Sequence, residues 1–239
     1  MFNFCQVVVS ERKKGYYVVE PKFKLSIKNS DLMIKNNDFY AVYDEDSGLW
    51  IQDECFVIDT IDRAVLEEYN KYKKARGAKY VPLLMNDADS GVIDKWHKYC
   101  QKQLRDNYVK LDSKVTFADA ETKKTDYVSK KLPYVMAEGS TKCWDELVDV
   151  LYSNEERNKF MYHWGRILHG DNLMKSNSKM MVFYGEIGTG KSTILDIMRK
   201  MFSGYCGTID AKALGSASQF ALESIKKNPL VGIDDEADL

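Results

Sequence analysis

Gly185, Gly190, Lys191 and Ser192 stand at the spacing G-x-x-x-x-G-K-[ST], inside the stretch MMVFYGEIGTGKST over residues 180–193. Residues of these types at this spacing hold a polyphosphate. Consecutive backbone N–H groups wrap the anion, so Gly185, Gly188 and Gly190 fall where a side chain would block its approach or forbid the dihedrals. Glu186, Ile187, Thr189 and Thr193 lend their backbone to the same cradle. Lys191 is placed to set a point charge on the β- and γ-phosphates, and the Ser192 hydroxyl to ligate Mg²⁺. A helix starting near Lys191 would aim the positive end of its dipole at the anion. ATP and Mg²⁺ are the implied cofactors.

A second group of chemistry-bearing residues lies downstream. Leu230, Val231, Gly232 and Ile233 form a short apolar run that ends on Asp234, Asp235 and Glu236. An apolar strand with carboxylates at its C-terminal end is what a nucleotide site needs. One acid, Asp234 or Asp235, orders Mg²⁺ through its water shell, and a neighbour polarises the attacking water. The division of these two roles stays open among the three. Lys191, Asp234, Asp235 and Glu236 are the candidate catalytic residues.

The elements that must position these groups are visible on either side. Met180, Met181, Val182, Phe183 and Tyr184 are an unbroken apolar run, as expected of a strand buried on both faces. Ile194, Ile197, Met198 and Met201 recur at helical spacing, and Gly204 marks a stop. Strand, glycine loop and helix follow one another in the required order.

Upstream, residues 6–10 and 16–20 read as short strands. FYAVYD and LWIQDE read as a hairpin closed by Glu45, Asp46, Ser47 and Gly48. The acids Asp44, Glu45 and Asp46 read as a solvated turn rather than a metal site. A helix is predicted from Asp59 or Thr60, with Ile61, Val65, Tyr69 and Tyr72 on one face and Gly77 as its C-cap. Lys71, Lys73, Lys74, Arg76 and Lys79 crowd its end. They fit a solvated helix terminus, and with Tyr72 and Tyr80 also a contact for single-stranded nucleic acid.

A second helix from near Ser90 carries Ile93, Trp96, Cys100 and Leu104 as a packing stripe. Residues 109–117 read as a short strand pair and residues 123–133 as a polar linker. Helices follow over residues 144–152 and 155–169, the second opening on Ser153 and Glu156 in capping-box spacing. Its core face is Phe160, Met161, Trp164, Ile167 and Leu168. Residues 207–210 read as a strand and residues 216–227 as a helix.

Bulk properties narrow the class. A net charge of −1 over 239 residues rules out whole-chain attraction to nucleic acid, so such contact must be local. No apolar run approaches the ~18 residues of a membrane helix, and the N-terminus lacks signal-peptide order. Five scattered cysteines without a paired C-x-x-C read as reduced thiols in the cytoplasm. His97 and Cys100 share a helical face, but two ligands do not close a zinc site.

Taken together, these stretches resemble the virus and bacteriophage primase-helicase family, in the superfamily-3 branch of AAA+ helicases. The resemblance runs through residues 31–50, then YVSKKLPYVMAEGSTKCWDELVDVLYSNEER, HGDNLMKSNSKMMVFYGEIGTGKSTILDIM, TIDAKALGSASQFALES and NPLVGIDDEADL. It implies an α/β P-loop NTPase core with an incomplete parallel sheet over residues 179–239. A helical pre-motor segment over residues 133–178 and a mainly α-helical α+β domain over residues 1–132 would precede it. Gly185 to Ser192 match the family's first motif. Asp234 and Asp235 match the paired acids of its second motif, while in phage relatives the acids align with Glu236 and Asp238.

The implied function is the ATP-binding portion of a phage replicative helicase or primase-helicase. In the complete oligomer, expected to be a hexameric ring, hydrolysis would drive unwinding of single-stranded or forked DNA in the host cytoplasm. The family's sensor asparagine, DNA-contacting hairpin and arginine finger would lie past Leu239. Weak or no turnover is therefore expected of this chain alone. The alternatives are a nucleotide-binding module completed by a second polypeptide, and an unrelated P-loop kinase.

Overall fold

The computed structural model describes residues 1–24, 30–35, 39–101, 107–169, 181–209 and 230–234. It divides into two units, residues 1–110 with 123–129 and residues 111–122 with 130–239.

In the first unit β1 (Cys5–Lys13) and β2 (Tyr16–Phe23) form an antiparallel hairpin. A second, fully antiparallel sheet runs β3 (Leu32–Lys35), β4 (Phe39–Asp44) and β5 (Leu49–Ile51). The β4–β5 turn is built by Asp44, whose carboxylate accepts from the Ser47 amide at 3.0 Å and the Ser47 hydroxyl at 2.6 Å. That geometry is the solvated turn expected of the acidic run.

Helix α1 (Glu54–Tyr72) begins earlier than its periodicity predicts. Asp53 is the N-cap and accepts from the Cys55 amide at 3.0 Å, so CFVI joins the helix instead of extending the preceding strand. Val57, Ile61 and Val65, four apart, are wholly buried against Phe4, Val19, Leu32 and Ile34. Asp62 turns inward with them and accepts from the Met85 and Asn86 amides, which pays its desolvation back in hydrogen bonds. The C-cap is Lys73, not Gly77. Gly77 instead turns the chain into β6 (Lys79–Pro82), which lies parallel to β2 in the order β1-β2-β6.

Helix α2 (Val92–Lys95) widens into a π turn over Trp96–Gln101, with Trp96 and Cys100 wholly buried. Ile93 packs partly against the same core, while Leu104 lies outside the described residues. The His97 ring nitrogen meets Glu54 at 2.5 Å.

Residues 123–129 are no linker. A 3₁₀ turn, Lys124–Asp126, presents the Lys124 carbonyl to the Trp50 indole at 3.0 Å, and Val128 is buried.

The second unit has its own core. Residues 109–117 form no strand ladder, although the Leu132 amide donates to Thr116 O and the Ala118 amide to Tyr134 O. Tyr205 clamps this segment, its hydroxyl donating to Lys130 O at 2.7 Å and accepting from the Thr116 amide at 3.1 Å. Helices α3 (Lys142–Leu151) and α4 (Asn154–His169) follow. The capping box at the start of α4 forms as its spacing predicts, with Ser153 and Glu156 exchanging bonds. Arg157 ties α4 back to Asp145 and Asp149 of α3.

On α4, Phe160, Trp164 and Ile167 are buried, whereas Met161 and Leu168 face outward. Helix α5 (Lys191–Met201) buries Ile194 and Met198, with Met201 outward. β7 (Cys206–Thr208) and β8 (Val231–Ile233) pair in parallel. Among the described residues no helix is long and apolar enough to cross a membrane.

Candidate phosphate-binding site

The glycine loop is a surface feature that ends on a helix. Residues 185–189 are exposed, and α5 starts directly after Gly190. Gly188 and Gly190 adopt φ of 85° and 82°, the left-handed region that a side chain disfavours. Gly190 is the N-cap and supplies no side-chain bond to the first turn. The leading amides of α5, those of Lys191, Ser192 and Thr193, therefore have no acceptor within the helix. The Ile194 amide is the first to find one, Gly190 O at 3.2 Å. A set of outward donors at the positive end of a helix is an anion cradle.

Lys191 lies across this cradle. Its ammonium donates to Gly185 O at 2.8 Å, to Glu186 O at 2.6 Å and to Thr189 Oγ1 at 3.2 Å. Thr189 in turn donates to Glu186 O at 2.8 Å. Neutral carbonyls satisfy the ammonium, and a phosphate would compete for it with a full charge. The Ser192 and Thr193 side chains are exposed beside it.

The loop is braced from behind by a residue that the motif does not contain. A Cβ built on Gly190 would meet the Leu151 methyls at 3.2 Å, so α3 packs directly against the last loop glycine. Nothing in the local sequence marks Leu151 for this. It reads only as one apolar residue of an amphipathic helix.

The run before the loop differs from the expected doubly buried strand. Residues 181–184 belong to no ladder, and exposure alternates along them. Met181 and Phe183 pack on the core, whereas Val182 is 49% and Tyr184 95% exposed. A strand is buried on both faces only when it sits inside a covered sheet. Here the described sheet of this unit holds just β7 and β8. Met180 lies outside the described residues.

The acidic group is reached in part. β8 forms as expected, and its last residue, Ile233, shares a core with Ile194 and Met198 of α5. Asp234 leaves the C-terminal end of this strand, half-buried. Asp235 and Glu236 lie outside the described residues, as do Asp238 and the helix expected over residues 216–227. Among the described residues no three His, Cys, Asp or Glu side chains gather into a metal cluster. A nucleotide-borne Mg²⁺ takes most of its ligands from phosphate and water and needs only one or two from protein. The Ser192 hydroxyl and a carboxylate such as Asp234 fit that requirement. No protein-family model, curated protein or solved structure matches this chain.

Proposed function

We propose that the second unit binds Mg-ATP through Gly185, Glu186, Ile187, Gly188, Thr189, Gly190, Lys191, Ser192 and Thr193. The carrying observation is the loop itself: two left-handed glycines, an uncapped helix start, and an ammonium held over the gap by two carbonyls and the Thr189 hydroxyl. Ser192 with Asp234 or Asp235 holds the Mg²⁺, and Glu236 or a neighbouring acid polarises the attacking water. On the resemblance to the primase-helicase family, the fold is an α/β P-loop NTPase core. Its role is the ATP-binding portion of a ring-forming replicative helicase acting on DNA.

Turnover in such a ring takes an arginine from a neighbouring subunit, worth roughly 10³–10⁵ in rate. Binding is therefore the property to measure first. Lys191→Ala is expected to weaken Mg-ATP binding at least tenfold in calorimetry while the far-UV circular dichroism stays unchanged, because the lysine is bonded only within an exposed loop. Equal affinity in both proteins would refute the assignment.

A further inference from the structure

Two turns that are distant in sequence meet in the first unit, and both are basic. Gly15, at the tip of the β1–β2 hairpin, has φ of 76°, and Gly77, in the turn after α1, has φ of 83°. Their backbones come close: a Cβ on Gly15 would lie 3.6 Å from Gly77 O, and the Lys79 amide donates to Gly15 O at 2.8 Å. Lys13 and Lys14 precede the first glycine, and Lys73, Lys74 and Arg76 precede the second. With Lys79 they make six cations, all exposed.

None of the six forms an ion pair among the described residues. The neighbouring basic residues do: Arg12 is bound to Glu20, and Lys71 to Glu68. Of the acids beside the cluster, Glu11 accepts from the Gly15 amide at 3.3 Å and Glu68 is taken up by Lys71 and the Tyr72 hydroxyl. On a chain of net charge −1, this corner is a local concentration of unneutralised positive charge.

Aromatic rings are interleaved with it. Tyr17 stacks on Tyr80 at 4.9 Å and Tyr80 on Tyr72 at 5.2 Å, with interplanar angles of 15° and 18°. The Lys79 ammonium sits 5.8 Å from the Tyr16 ring centre. Tyr80 is engaged with two rings, so Tyr17 and Tyr72 end the column. Both are half-buried, which holds the rings in place.

From this geometry we infer that the Gly15–Gly77 corner is a binding surface for single-stranded nucleic acid. The cations track the phosphates, and the ends of the tyrosine column extend the base stack. Rings with charge on both flanks suit a strand whose bases are unpaired. A paired duplex offers phosphate but keeps its base faces covered. The surface uses residues of the first unit alone and does not depend on the phosphate-binding loop.

The test is fluorescence anisotropy of the full chain on a labelled oligothymidylate of about 15 nucleotides, across a salt series. Lys13→Glu/Lys14→Glu is expected to weaken binding at least tenfold. Losing two phosphate contacts should also make the slope of log K against log salt shallower by about 1.4. Lys73→Glu/Lys74→Glu, on the other turn, should do the same, and Tyr72→Ala should weaken binding with the salt slope unchanged. Lys142→Glu, on α3, should bind as the wild type does. These results would stand even if Lys191→Ala had no effect on ATP, so the two readings fail separately. Wild-type affinity and slope in both lysine pairs would overturn the proposal. So would tighter binding to duplex of the same length, or to anionic vesicles.

Discussion

Replacing Gly190 by alanine asks two things of the chain. The residue must hold φ near 82°, which costs an L-residue roughly 1–2 kcal/mol, and its methyl must fit against Leu151 at 3.2 Å. The leucine methyls are the far end of a flexible side chain, whereas a positive φ strains any L-residue whatever the space. Gly190→Ala is therefore expected to lose about five- to thirtyfold in Mg-ATP affinity, the size of loss that 1–2 kcal/mol gives. Adding Leu151→Ala should recover little of it. Isothermal titration of the single and double variants decides the matter. Full recovery in the double variant would show that contact, not backbone conformation, selects glycine there.

At the scale of elements, α3 and α4 form the bracket behind the loop. α4 is started by Ser153, which exchanges hydrogen bonds with Glu156, and is held to α3 by Arg157 between Asp145 and Asp149. The Glu156 carboxyl lies below its ordinary range, chiefly because the Ser153 hydroxyl and amide donate to it. A carboxyl depressed in the folded state adds stability above its unfolded pKa and loses it as the pH falls through the folded value. The group is exposed, so the effect is small. Ser153→Ala removes the cap and should cost about 1 kcal/mol. Urea unfolding followed by the second unit's Trp144 and Trp164 would report this as a lower midpoint at unchanged slope. An unchanged midpoint would show that the Arg157 bridges alone hold the helix start.

At the scale of the whole molecule, two buried apolar cores among the described residues share no members. One gathers around Ile61, Trp96 and Leu32, the other around Phe160, Ile194 and Tyr205. Ile61→Ala and Phe160→Ala each remove a buried side chain and should each cost roughly 2–5 kcal/mol. Hydrogen exchange read by mass spectrometry should then show lost protection in α1 and β2 for the first variant, and in α4 and α5 for the second. Equal loss in both units from either change would mean that they unfold as one cooperative block. The chain crosses between units at residues 110–111, 122–123 and 129–130. A polar composition over residues 123–133 reads as a tether, yet Val128 and Leu132 are each buried, one in each unit.

Local chemistry was legible in the residues alone. The β4–β5 hairpin, the presence of strands in β1 and β2, the capped start of α4, the run into β8 and the glycine loop leading into α5 all follow from short-range rules: period, turn residues, capping spacing. Elements were misjudged where a partner distant in sequence decides. Periodicity starts α1 at Asp59 or Thr60, five or six residues late, because the stretch after the Asp53 cap buries only one side chain, Val57, before Ile61. Residues 181–184 pass for a buried strand although their burial depends on which distant neighbours cover them. The Leu151 brace and the meeting of the Lys13–Lys14 turn with the Gly77 turn had no local signal. Both arise when separate segments pack, and a pattern of residue types records which face is apolar but not what that face will touch.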